Sequence, residues 1–384
     1  MNPAIVIIGF NRPKSLKNVL SSISSANYLQ SDIPLVISID YQDSIEHDEV
    51  VKLAENFNWK FGNKRLIIHK KNLGLKEHVL SCGDLTNEYG SVIMLEDDLF
   101  VSPYYYTYSK KALEYYESDV NIAGVSLYNH KRNFINQLPF ELISDSSDVY
   151  FLQIASSWGQ AWTKNQWSNF RTWFSENKIL SEFVPNYIIN WPDTSWLKHF
   201  INYLVVNDKY FVYPTKSLST NFGDSGTNNT NKNTDYQVPV FIGQKINFTE
   251  MNNCLNIYDS FFEISPKVLK KLNPKLNKYD FAVDMYGLKP LNIIKTKYLL
   301  SSKVLIEEKD KIFSFDLELK PMVFNIIHNE IGKVFNFSKT SNFHNLRKLN
   351  LENNIVFNYF IVKLSINKFI KLFFSIIKSK IMKS

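Results

Sequence analysis

The sequence predicts an α/β fold in which a mostly parallel sheet is flanked by helices, followed by a C-terminal extension of helical and mixed character. Three observations predict it. Apolar runs at residues 4–10, 35–39 and 91–95 are continuous rather than alternating, the pattern of strands buried on both faces. Helical-period segments separate them, and strand, helix, strand in that rhythm implies right-handed crossovers between parallel neighbours. Carboxylates stand at the ends of these runs, Asp40 after one and Glu96-Asp97-Asp98 after another.

Taken in order, a strand over 4–10 is punctuated by Asn11-Arg12-Pro13, and Leu16, Val19, Leu20 and Ile23 then recur at helical spacing with Pro13 near the favoured first turn. Strands follow over 34–40, 65–69 and 91–96, with helices over 46–58 and 74–88; the second helix carries Lys76 and His78 in its first turns. A helix over 103–116 and a strand over 121–127 complete the regular part. In parallel sheets ligands bind beyond the carboxyl ends of the strands, so Asn11, Arg12, Asp40, Glu96, Asp97 and Asp98 are expected to converge on one crevice. Each also has a plainer reading. Arg12 serves as a solvated loop cation, Asp40 as a turn former before Tyr41-Gln42-Asp43, and the triplet as an acidic turn whose Asp98 caps the helix starting near Pro103. Neither a G-x-x-x-x-G-K-[ST] loop nor a G-x-G-x-x-G after a strand is present, which argues against P-loop and dinucleotide chemistry.

The texture changes after residue 150. Trp158, Trp162, Trp167 and Trp173 put four of the seven tryptophans in one short stretch, and Trp191-Pro192-Asp193-Thr194-Ser195-Trp196 adds two more. Indoles are ordinary core residues, but their flat faces are also what a sugar ring packs against. Asp193 lies between two of them, a setting expected to raise its pKa toward that of a useful base; a helix N-cap for 194–203 is the competing role. The stretch 221–230, with Phe222, Gly223 and Gly226, is polar and glycine-containing, a composition suited to a mobile lid or a plain surface loop. Beyond about residue 240 the chain is rich in Lys, Asn and Ile and carries no chemical motif; Asp280 and Asp284 receive no functional weight.

The 384 residues and 45% hydrophobic content suffice for about two domains with full cores. Cys82 and Cys254 stand far apart without metal-ligand spacing, which points to a reducing compartment and away from a disulfide framework. The N-terminus enters a strand without a basic n-region, so the expected location is the cytoplasm. The net charge of +7 matches no nucleic-acid motif. Part of it sits at 355–384, which has no Asp or Glu and where Lys363, Lys368, Lys371 and Lys378 share a helical arc opposite Phe369, Ile370, Phe373 and Ile377. Such a segment is too frequently charged to span a bilayer and is expected to lie peripherally on an anionic membrane surface at the inner face.

The ordered set of an apolar strand then Asn-Arg-Pro, a strand ending in Asp40, Glu96-Asp97-Asp98-Leu99 followed by Ser102-Pro103, Trp158-Gly159-x-x-Trp162, Asp193 amid tryptophans and Asn221-Phe222-Gly223-x-x-Gly226 resembles GT-A-fold nucleotide-sugar glycosyltransferases. The nearest likeness is to bacterial family-2-like enzymes of surface-polysaccharide synthesis, with a distant similarity to eukaryotic protein N-acetylglucosaminyltransferases, and it covers residues 4–230. The resemblance implies a catalytic domain over 1–240, with a nucleotide-binding half over 1–127 and an acceptor-binding half over 128–240, and an extension over 241–384. It implies Asp98 as ligand of a Mn²⁺ or Mg²⁺ ion, Glu96 and Asp97 at the donor ribose and sugar, Asp40 reading a uracil base, Asn11, Arg12 and Lys76 near the nucleotide, and Asp193 as the base of an inverting transfer. Trp158 and Trp196 would meet the acceptor, a glycan or lipid-linked sugar, and Phe222, Gly223 and Gly226 would belong to the lid. A nucleotidyltransferase, or a non-catalytic membrane-associated assembly factor on the same fold, is the alternative.

Overall fold

The computed structural model describes residues 2–29, 32–177, 179–223 and 235–347. The expected amphipathic segment 355–384 and most of the expected lid, including Gly226, lie outside the described residues. The chain divides into two compact units, one of 1–131 with 142–262 and the other of 132–141 with 263–384.

The first unit begins with β1 (Ala4–Gly9), α1 (Pro13–Ser24), β2 (Leu35–Ile39), α2 (Ile45–Asn56), β3 (Lys64–Ile68), α3 (Gly74–Asp84), the single turn α4 (Thr86–Tyr89) and β4 (Ser91–Glu96). Every residue of β1 and β2 is buried, as are Ser91–Leu95 of β4, because helices cover both faces of this part of the sheet. β3 is half exposed, as befits an edge. A short β5 (Leu99–Val101) leads to α5 (Tyr105–Tyr115) and β6 (Ile122–Ser126), and the ribbon β7 (Arg132–Asn133) with β8 (Leu138–Pro139) belongs to the second unit. Back in the first unit come β9 (Val149–Leu152), β10 (Gln160–Thr163), α6 (Lys164–Glu176), the turn α7 (Asn186–Ile189), α8 (Trp196–Val206), β11 (Tyr210–Pro214), β12 (Ser219–Asn221) and β13 (Ile257–Tyr258).

Among the described residues the main sheet has nine strands in the order β13-β9-β11-β6-β10-β4-β1-β2-β3. The half built from β4, β1, β2 and β3 is wholly parallel, in register Ile5↔Leu35 and Ala4↔Val92. β10 runs antiparallel between β4 and β6, pairing Gln160 with Met94 and Ser126, so the carboxyl ends of β1, β2, β4 and β6 all reach one edge and β10 starts there. β13 pairs with β9, which places residues up to 262 in the sheet unit rather than in an extension beginning at 241.

The second unit is mixed but dominated by strands. β14 (Phe281–Asp284), β15 (Tyr298–Ser301), β18 (Phe335–Lys339) and β17 (Phe313–Phe315) form a four-stranded sheet, accompanied by α9 (Pro266–Leu272), α10 (Val323–Ile327) and a pair of β16 (Lys303–Leu305) with β19 (Phe343–Arg347). Asp284 is fully buried there, and Lys303, Ser301 and the Lys289 N–H all bond to it, a satisfied internal ion pair. Among the described residues of the chain no helix is long and apolar enough to cross a membrane.

Three of the helices on the sheet, α3, α6 and α8, pack together around indoles. Trp167 of α6 is fully buried, its ring 4.7 Å from that of Trp162, and its Nε1 donates to Asp84 at 2.8 Å while Arg171 holds both oxygens of the same carboxylate. Gly83 permits this approach, for a Cβ there would come 2.0 Å from Trp167 Cζ2. Replacing it forces the α3–α6 contact apart, and overpacking of this kind costs about 1–3 kcal/mol. Chemical denaturation of Gly83→Ala is therefore expected to show a lowered midpoint with an unchanged slope.

Candidate functional site

β4 delivers its acidic end to the sheet's carboxyl edge. The helix after it is α5, whose first turn is met by Ser102 Oγ accepting from the Tyr104 N–H, so Asp98 is not its cap. Asp97 is buried, and Glu96 and Asp98 are half-buried. Arg12, arriving from the end of β1, grips both aspartates: Nε donates to Asp97 Oδ2 at 3.3 Å, Nη2 to Asp97 Oδ1, and Nη1 to Asp98 Oδ2 at 3.1 Å. Arg12 is thus not a solvated loop cation. Burial works against its charge, but Asp97 and Asp98 outweigh burial and hold it firmly protonated. Burial raises the Asp97 carboxyl to about 6 even with Arg12 beside it, and burial followed by the Asp98 charge raises Glu96.

Asp98 Oδ1 is buried and, among the described residues, has no hydrogen-bond partner. A buried carboxylate oxygen left without a donor is costly unless something fills its place. Glu96, Asp97 and Asp98 offer hard oxygen donors, the chemistry of a Mn²⁺ or Mg²⁺ site. Among the described residues no group of three or more His, Cys, Asp or Glu is arranged to hold a metal by itself, so an ion here would take most of its ligands from substrate and water. The residues present fit that mode of binding through Asp98.

The first residues of the segment expected to act as a lid are tied to this point. β12 pairs with β5, Asn221 opposite Leu99, and the Phe222 N–H donates to the Asp98 carbonyl at 2.9 Å. The Phe222 ring stands edge-on to Phe100, and Gly223 takes a positive φ of 66°. Residues 221–223 therefore lie beside the acidic triplet.

On the β2 side Asp40 is buried and committed to backbone. Its Oδ1 accepts from Tyr41 N at 2.9 Å and Leu73 N at 2.8 Å, and its Oδ2 from Gly74 N at 3.0 Å, so it closes the N-terminus of α3. Gly74 has a φ of 76°, the left-handed conformation that lets its N–H turn toward the carboxylate. Asn11 Nδ2 donates to Gln42 Oε1 at 2.5 Å, and Asn72 Nδ2 to the Tyr41 carbonyl at 2.9 Å. Gln42 and Asn72 line the same edge as Asn11; the sequence reading took Gln42 only as part of a turn and did not single out Asn72. Beneath them His78 meets Ser38 Oγ at 2.8 Å, and burial lowers its pKa to about 4, so it is neutral near pH 7.

Asp193 departs most from expectation. Its side chain is fully exposed rather than lodged among indoles. Its N-cap alternative is also excluded, because Ser195 caps α8 by accepting from Lys198 N. Lys198 Nζ donates to Asp193 Oδ1 at 2.8 Å, and this bond, together with the lysine's charge, lowers the carboxyl's pKa where the sequence reading raised it. Lys76 does reach this loop: its Nζ donates to the Asp193 carbonyl at 3.1 Å, joining α3 to the segment before α8.

The two tryptophans separate. Trp196 is 2% exposed, packed at 6.1 Å from Phe200 and 6.3 Å from Trp162, and as a core residue it is closed to any acceptor. Trp158 is half-buried at the carboxyl edge, 4.5 Å from the Tyr128 ring and 5.3 Å from Tyr236, with Gly159 at φ 89° turning the chain into β10. Ser219 Oγ donates to its carbonyl at 2.5 Å. Extending the register of Gln160 opposite Met94 brings Trp158 level with Glu96. Trp158 therefore remains at the carboxyl edge beside the acidic triplet.

The fold and site define an α/β protein with an acidic cluster at the carboxyl edge of a mostly parallel sheet. No family model and no curated protein matches the chain. Among solved structures it is similar to the mannosyltransferase PcManGT of Pyrobaculum calidifontis in complex with GDP-Man and Mn²⁺, at 15% identity and TM-score 0.33 over 48% of this chain and 49% of that one. It is also similar to S. aureus TarS 1-349, at 12% identity and TM-score 0.36 over 57% of this chain and 60% of that one, and to the same fragment in complex with UDP-GlcNAc, at 11% identity and TM-score 0.34 over 58% and 59%. The chain thus spans about half of the first of these proteins and under two thirds of the others. Likeness at this level carries no argument about activity.

Proposed function

We propose that this chain is a divalent-metal-dependent glycosyltransferase that moves a sugar from a nucleoside-diphosphate sugar to a glycan or lipid-linked acceptor, in bacterial surface-polysaccharide synthesis. The observation that carries the reading is the acidic end of β4, with one buried oxygen of Asp98 unpartnered and Arg12 braced across Asp97 and Asp98. The resemblance of the ordered motifs supports it. A divalent ion bound at Asp98 would supply charge neutralisation for the departing diphosphate. Arg12 offsets the repulsion between Asp97 and Asp98, and on this reading its guanidinium would also be shared with the donor diphosphate. The Asn11–Gln42 and Asn72–Tyr41 bonds shape the edge offered to the base, uracil on this reading.

Asp193 is the candidate base. The proton of an acceptor hydroxyl passes to its carboxylate, the hydroxyl oxygen forms a bond to the anomeric carbon, and the bond from that carbon to the phosphate oxygen breaks with its electron pair leaving on the nucleoside diphosphate. A single displacement of this kind inverts the anomeric centre. Trp158 offers an aromatic face for the acceptor, and Phe222 and Gly223 begin the lid that would exclude water. The segment 355–384, outside the described residues, would bring the enzyme to the inner face of an anionic membrane.

Incubation of the full chain with a panel of nucleotide sugars, with and without Mn²⁺, tests the reading. Release of nucleoside diphosphate that requires the metal is expected. Pyrophosphate release would instead indicate nucleotidyl transfer, and an absence of both turnover and metal-dependent nucleotide binding would leave a non-catalytic role.

A further inference from the structure

Lys198 is an unusual choice for its place. It is the third residue of α8, in the turn whose unpaired N–H groups already carry positive charge, where an acidic residue would be favoured and a cation is not. It is also buried, its side chain 4% exposed. A buried ammonium needs a counter-charge and hydrogen-bond acceptors, and among the described residues its ion-pair partner is Asp193, 2.8 Å from Nζ to Oδ1, with the Trp191 carbonyl accepting at 2.9 Å. Asp193 itself is fully exposed, and among the described residues its Oδ2 has no hydrogen-bond partner. One oxygen is therefore anchored from below while the other faces outward. The same residue's carbonyl is held from α3 by Lys76 at 3.1 Å.

We infer that Lys198 is the positioning residue of the transfer centre: it clamps the 191–195 loop and holds the Asp193 carboxylate by Oδ1, so that Oδ2 is presented, ionised, to the acceptor hydroxyl. This rests on the reading of Asp193 as the base. A clamp of this kind restricts an otherwise freely rotating surface carboxylate to one orientation before the acceptor arrives. It also weakens the base while ensuring that it is ionised, which widens the acid side of the working pH range. Lys76 on α3 and His199 on α8 are the other charged or titratable groups facing Asp193, and both favour its ionised form.

The test compares the wild type with Lys198→Met, Lys198→Gln and Lys198→Arg in metal-dependent sugar transfer, measured as kcat and acceptor KM across pH alongside thermal stability. Asp193 acts as a base only when ionised, and Lys198 favours that form. Removing the cation raises the aspartate's pKa, so the acid limb of the kcat profile is expected to move to higher pH, and kcat at neutral pH to fall about tenfold or more. Lys198→Gln retains a donor for the Trp191 carbonyl, so it should show the displaced limb even if Lys198→Met is too unstable to assay. Lys198→Arg keeps the cation and should keep the limb in place. If Lys198→Gln and Lys198→Met lose stability but keep the wild-type pH profile and kcat, the lysine is a structural strap and the inference is overturned. A separate outcome, Asp193→Asn transferring sugar normally, would remove the base assignment beneath it without any reference to Lys198.

Discussion

Asp98→Asn is expected to abolish the metal dependence of nucleotide binding and to lower sugar transfer by about 10²–10³-fold, the loss typical of removing one preorganised group that stabilises developing charge. The substitution keeps shape, and Nη1 of Arg12 can still donate to the remaining carbonyl oxygen, so the fold should survive. What it removes is charge at the one carboxylate, among the described residues, with a buried oxygen that no protein donor satisfies. In thermal-shift measurements the wild type should show a larger rise in melting temperature with UDP plus Mn²⁺ than with UDP alone, since a ligand selective for the folded state stabilises it by mass action. Asp98→Asn should show the same small shift with and without the metal. A variant that retained the full metal-dependent shift would place the ion elsewhere.

Asp193→Asn is expected to lower transfer by about 10²–10⁴-fold, the range for loss of a general base, while leaving donor binding unchanged. The separation follows from geometry. Asp193 is exposed on the loop before α8, and its hydrogen bonds among the described residues run to Lys198 and Lys76 rather than to Arg12 or the triplet, so its loss should act on the acceptor step alone. The asparagine keeps a hydrogen-bond acceptor for Lys198 Nζ but leaves the buried ammonium without a counter-charge, so some loss of thermal stability should accompany the kinetic effect. Single-turnover transfer with saturating donor separates the two consequences, because a stability defect lowers the active fraction whereas loss of the base slows every active molecule. Undiminished single-turnover transfer would require another base.

Arg12 and Lys198 frame the molecule in a similar way. Each is a cation largely withdrawn from solvent and paired with carboxylate, one on the side read as donor and one on the side read as acceptor. Arg12 meets Asp97 and Asp98 across 85 and 86 residues of chain, and Lys76 meets Asp193 across 117. Contacts of such length are decided by the sheet, which gathers the ends of β1, β2 and β4 on one edge and packs α3 against α8.

What the sequence determined by itself was local. Continuous apolar, β-branched runs of five or six residues bounded by turn signals are the pattern of strands covered on both faces, so β1, β2 and β4 and the edge at which Asp40 and Glu96-Asp97-Asp98 emerge were legible, as were the helices between them. The tertiary structure decided how side chains at that edge are occupied. Trp196 became core because it lies on the face of α8 that meets Trp162 and Phe200; a tryptophan beside a polar loop looks the same in sequence whether that face turns inward or out. Asp40 was taken up by the N–H groups of Leu73 and Gly74, more than thirty residues away, and which strand of the mostly parallel sheet runs antiparallel, β10 between β4 and β6, was set by the tertiary pairing. The environment of Asp193 was misjudged for the same reason. Neighbouring indoles suggested burial, whereas the helix turned Lys198 inward and left the aspartate in water, and the sign of a pKa shift follows the charge in contact rather than the residues adjacent in sequence.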